Sequence, residues 1–176
     1  FITCAAFSNQ ANEFGGGLGH WENDATPVSV SYVPVQQSNE YVRDYAVRIA
    51  ADNSNEGGWI DLNNSDQRAK AQVSFWIKGD KSQTCLDVGL KDQFGKENKV
   101  NLTDLTSGTM PTQWTQVKIP IERFCLTGNV TNDTWPGSLA SLTFAFTSAG
   151  GGTVDVDYVS FEKDTLAPAR PTNHVG

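Results

Sequence analysis

The sequence predicts an all-β sandwich, and two observations carry that prediction. Short segments that alternate apolar and polar residues recur along the chain, separated by clusters of Gly, Asn, Asp and Ser. No window keeps a helical period, and a composition of 16 Gly and 7 Pro with only 19% charged residues suits strands and tight turns. At 176 residues, one hydrophobic core is the expectation.

The strands expected in chain order are Tyr45–Ala50, Gln72–Lys78, Thr84–Leu90, Lys99–Thr103, Trp114–Ile119, Leu142–Thr147 and Val154–Phe161, with one helical turn over Gly137–Leu142. Successive side chains of a strand point to opposite faces. Val73, Phe75 and Ile77 therefore form one row, as do Leu86, Val88 and Leu90, then Val100 and Leu102, Val117 and Ile119, and Leu142, Phe144 and Phe146. The alternate rows are polar or mixed. Strands half buried in this way imply two antiparallel sheets packed face to face, over residues 1–163. Beyond them, DTLAPARPTNHVG loses the alternation and gains Pro168 and Pro171, so residues 164–176 read as a linker to a further domain.

The formal net charge of -7, with no Lys/Arg run, argues against a nucleic-acid partner. No apolar stretch approaches the roughly 20 residues needed to cross a bilayer. The chain begins at Phe1, which reads as a trimmed N-terminus. Sequons at Asn63, Asn101, Asn129 and Asn132 are possible glycan acceptors. Cys4, Cys85 and Cys125 lack metal-binding spacing; strand placement favours a Cys85–Cys125 disulfide with Cys4 unpaired, against the alternative of three reduced, buried thiols.

Catalytic constellations are weak. The two histidines, His20 and His174, sit in a Gly-rich loop and in the tail, and there is no nucleophile elbow. The close acidic pairs are Asp155 with Asp157 and Asp92 with Glu97; the former lie two residues apart on one strand, about 7 Å by strand rise, and read better as solvated or cation-binding groups. The five tryptophans are more informative. Trp76 faces the polar side of its strand, Trp135 lies in the polar stretch NVTNDTWPG, Trp21 follows FGGGLGH and Trp59 follows Gly-Gly, whereas Trp114 reads as a cap on the core edge. Indoles at a surface stack on the apolar face of a sugar ring while nearby polar groups bond its hydroxyls. The candidate carbohydrate-binding set is thus Trp21, Trp59, Trp76 and Trp135, oriented by Asp92, Asn101 and Arg48, with Tyr41 weaker.

Taken in order, NEFGGGLGHWENDA, YAVRIAAD, GGWIDL, VSFWIKGD, VGLKDQFGKENKVNL, QWTQVKIPIERF, SLTFAF and GTVDVDYVSFE resemble the family-eleven type of carbohydrate-binding module and related domains of glycoside hydrolases, from Ala6 to Lys163. The resemblance implies a jelly-roll (galactose-binding-like) sandwich whose concave sheet holds a β-glucan chain, with structural calcium at its edge. Family aromatics correspond to Trp21 and Trp135, and Trp59 falls in an aromatic-rich segment. Related domains carry an acidic pair before the first Phe where this chain has Ala5 and Ala6 before Phe7, which leaves Asp157 and Glu13 as the expected calcium ligands.

The expected function is non-catalytic polysaccharide binding, outside the cell or at its surface, that anchors an attached domain. The alternative is a structural subunit of an extracellular filament or surface layer, in which Cys4 and the tail bridge like subunits. A glycoside hydrolase or lyase on the same fold is a third reading.

Overall fold

The computed structural model describes residues 14–35, 44–67, 70–125 and 138–163. Ten strands are described: β1 (Leu18–Trp21), β2 (Ser29–Val35), β3 (Asp44–Ala51), β4 (Gly57–Ser65), β5 (Gln72–Gly79), β6 (Leu86–Asp92), β7 (Glu97–Asn101), β8 (Thr115–Pro120), β9 (Leu139–Phe146) and β10 (Gly152–Glu162). A 3-10 turn, Leu102–Leu105, follows β7 and a short helix, α1 (Ile121–Cys125), follows β8. The strands form two five-stranded antiparallel sheets, in the orders β1-β4-β9-β6-β7 and β2-β3-β10-β5-β8. This is the expected jelly-roll sandwich.

The inward rows named from the sequence are the core. Phe75, Ile77, Leu86, Val88, Leu90, Ile119, Leu142, Phe144 and Phe146 are all fully buried. Phe75 from one sheet meets Phe144 from the other edge to face, with centroids 5.7 Å apart, so the two layers interlock at their centre. In β10 the alternation slips by one at Tyr158, which sits at φ 50 inside a bulge. The slip lets Val154, Val156, Val159 and Phe161 all point inward from V-D-V-D-Y-V-S-F.

Three strands were not foreseen. β1 and β4 begin in glycine-rich sequence that reads as turn, and β2 contains Pro34, which is tolerated because β2 is the outer strand of its sheet. The helical turn expected before β9 is absent from the described part of that segment: Leu139–Leu142 is already strand. Leu102 and Thr103 leave the strand expected to contain them because the Asn101 side chain accepts the Thr103 N–H and starts the 3-10 turn.

The expected Cys85–Cys125 disulfide does not form, since Cys85 is a free thiol. Thr84, beside Cys85, lies against Gly152, at the Gly79 end of β5, whereas α1 follows Pro120, which pairs with Gln72 at the other end. The eight residues of β5 separate those ends by about 23 Å, against the Cα spacing under about 7 Å that a disulfide requires. Glu13, Tyr41, Cys4, Trp135, Asn129, Asn132 and the tail lie outside the described residues.

Removing the central ring contact should be costly. Phe144→Ala is expected to lower unfolding stability by about 3–5 kcal/mol, read by urea denaturation followed by fluorescence, because a fully buried ring leaves a cavity that a two-layer core closes poorly.

Candidate functional site

The outward face of the first sheet consists of three cross-strand rows set by register. One runs Trp21, Gly57, Ala145, Asp87, Asn101; the next Gly19, Trp59, Thr143, Gly89, Lys99; the third Asp61, Ser141, Lys91, Glu97. Residues paired across antiparallel strands share a face. Trp21 and Trp59 therefore stand on one surface, each opposite a glycine.

Those glycines let the indoles lie down. A Cβ on Gly19 would come within 2.1 Å of the Trp59 ring, and one on Gly57 within 2.8 Å of the Trp21 ring. The two half-buried indoles are nearly parallel, at 13°, with centroids 6.1 Å apart, and form a stacked aromatic platform. Trp21 is fixed by its Nε1–H, which donates to the Asn55 carbonyl at 2.9 Å.

The far half of the face is polar. Lys99 packs beside Gly89 and extends until its Nζ is 6.0 Å from the Trp21 ring centroid. Glu97 accepts from the Thr143 hydroxyl and lies 3.8 Å from Lys99, and Asn101 Nδ2 donates to Asp87 at 3.0 Å. That last bond engages the nitrogen that glycosylation of Asn101 would need. Glu97, Lys99, Asp87 and Thr143 join the surface only through strand order, and period-two alternation is the one signal in the sequence that turns them outward.

The remaining expected residues are placed elsewhere. Asp92 is buried and its Oδ1 accepts from the Phe94 and Lys96 N–H groups at 2.9 Å each, so it builds the β6–β7 hairpin turn. Trp76 and Arg48 are on the outward face of the other sheet, a sandwich thickness away from Trp21 and Trp59. Arg48 donates to both oxygens of Asp155, at 2.7 and 2.8 Å, and that pairing pushes the guanidinium pKa up. Asp157, on the same face, accepts from the Tyr158 N–H at 2.7 Å. Trp114 lies under Lys78 Nζ, 5.3 Å from its centroid. Among the described residues no helix is long and apolar enough to cross a membrane.

The fold agrees with what the chain is similar to. A family 30 carbohydrate-binding module of a cellulosomal cellulase of Clostridium thermocellum superposes with a TM-score of 0.60 at 17% identity, over 94% of this chain and 99% of that one. The family 11 module of Clostridium thermocellum, solved in complex with a β-1,3-1,4-mixed-linked tetrasaccharide, gives 0.55 at 14% identity, over 93% and 97%. A β-1,2-glucanase from Parabacteroides distasonis gives 0.65 at 16% identity, over 93% of this chain and 25% of the enzyme. No curated protein matches by sequence. Residues 3–163 match carbohydrate binding domain 30, and the chain belongs to that family.

Proposed function

We propose that this chain is a non-catalytic module that binds a β-glucan chain along the outward face of its first sheet and holds an attached catalytic domain to its substrate outside the cell. The observation that carries the reading is the pair of nearly parallel, half-buried indoles of Trp21 and Trp59, each lying against the glycine opposite it. Apolar sugar faces stack on such a platform, while Asp87, Glu97, Lys99 and Asn101 provide donors and acceptors for hydroxyls on the polar half. The family match supports carbohydrate binding, and the β-1,3-1,4-mixed-linked tetrasaccharide bound by the family 11 neighbour is what points to a β-glucan. Jelly-roll neighbours that occupy a quarter of an enzyme chain support attachment to a further domain. A binding site on an open sheet face binds weakly alone, and linkage to other modules raises its effective affinity.

Affinity electrophoresis and calorimetry against a panel of soluble β-glucans, xylan and mannan test the reading. Trp21→Ala and Trp59→Ala are each expected to weaken glucan binding at least about tenfold, equivalent to about 1.4 kcal/mol. Trp76→Ala, on the other sheet, is expected to leave it unchanged. Retention of full binding by both platform variants, or its loss in Trp76→Ala alone, would overturn the assignment.

Gly19→Ala gives an independent check of the platform. The added methyl meets the far end of the Trp59 ring and not the backbone, so the indole must lift. Glucan affinity is expected to fall with the near-ultraviolet circular dichroism of the stacked pair, while the thermal transition stays cooperative.

A further inference from the structure

Beside the platform, at the end of the sandwich where Trp21 leaves β1, three carboxylates converge. Asp24 comes from the loop between β1 and β2, Asp52 and Glu56 from the loop between β3 and β4, and one oxygen of each lies within 4.8 Å of the others. Asp24 and Asp52 are exposed, but Glu56 is fully buried. Its Oε1 accepts from the Asn23 N–H at 3.3 Å, and its Oε2 has no hydrogen-bond partner. A buried carboxylate oxygen without a donor is unfavourable, and two more carboxylates at this range add repulsion. Among the described residues none of the three forms an ion pair. The surrounding bonds hold the cluster in place: the Thr26 N–H donates to Asp24 Oδ1 at 2.7 Å, and Asn53 Nδ2 donates to Asp24 Oδ2 at 3.2 Å.

We propose that Asp24, Asp52 and Glu56 bind a calcium ion that fastens the β1–β2 loop to the β3–β4 loop. The ion supplies what the Glu56 oxygen lacks and neutralises the cluster. The donor set is all carboxylate, with no thiolate or imidazole, which selects hard cations over zinc or copper. Ligands on two irregular loops suit the flexible coordination of Ca²⁺ better than the near-ideal octahedron that Mg²⁺ demands. The site differs from the one expected at Asp157 and Glu13: Asp157 lies on the outer face of the other sheet.

The test uses chelator-stripped protein and needs no glycan, so its outcome is separate from that of the glucan reading. Terbium should bind and luminesce on tryptophan excitation, because Trp21 Nε1 bonds the carbonyl of Asn55, next to Glu56, and calcium should displace it. Calcium at about a hundredfold excess over Kd should raise Tm by about 5–10 °C, with magnesium far weaker. The double variant Asp24→Asn/Asp52→Asn, changed only at exposed positions, should fold but lose calcium affinity at least about tenfold. Glu56→Gln should also lose it, and without calcium should match or exceed the stripped wild type in Tm. Undiminished calcium binding in both variants, no terbium or calcium binding by the stripped protein, or equal affinity for magnesium would each overturn the proposal.

Discussion

The register of β1 on β4 governs the candidate site, because it sets Trp21 across from Gly57 and Trp59 across from Gly19. An indole opposite an ordinary residue must stand up from the sheet or turn aside. Opposite a glycine it can lie on bare backbone, and here two do so in reciprocal positions, which makes their planes nearly parallel. The platform is a consequence of two missing side chains as much as of two large ones. A one-residue slip of β1 would turn Trp21 toward the core and take Gly19 away from Trp59, which β4 holds in place, and so destroy the platform.

Trp76 illustrates the contrast on the other sheet. Its cross-strand partners are Asp157 and Gln116 in place of glycine, and it remains 37% exposed. The polar groups around it are tied to each other: Arg48 to Asp155, Gln116 to Ser74, and both Gln72 and Lys118 to Glu162. Burial pushes the Glu162 carboxyl up, but the hydrogen bonds from Gln72 and Lys118 outweigh it and leave it below its ordinary value. The polar groups of the first sheet's face are tied to each other as well, Asn101 to Asp87 and both Thr143 and Lys99 to Glu97, so the feature that sets that face apart is its pair of parallel indoles.

Much of the sandwich was legible in the sequence because period-two alternation is a local property, and the rows around Phe75, Val88 and Phe144 state it clearly. The site was legible only in part. Trp21 and Trp59 stood out by residue type, yet β1 and β4 did not, since the glycines that floor the platform also erase the strand signal. Alternation turned Trp76 outward but could not say toward which side of the molecule, a matter of which sheet β5 joins. Asn101 and Trp21 share a row only through three intervening strands, and no local pattern encodes that pairing. Glu56 was the least legible of all: in DNSNEGG it reads as one more polar loop residue, and only the folded chain shows it fully buried.

What holds β1 follows from its length. Four residues at a sheet edge, one of them glycine, contribute little burial of their own. The strand is kept by contacts at its ends: the Asp61 N–H donates to the Gly17 carbonyl at 3.0 Å on one side, and Trp21 and Asn23 bond Asn55, Ser54 and Glu56 on the other. Those last bonds all land on the β3–β4 loop, so the position of the Trp21 indole is set by how firmly two loops are joined. The aromatic platform is thus rigid on the β4 side, where Trp59 sits inside a strand paired on both flanks, and depends on loop packing on the β1 side.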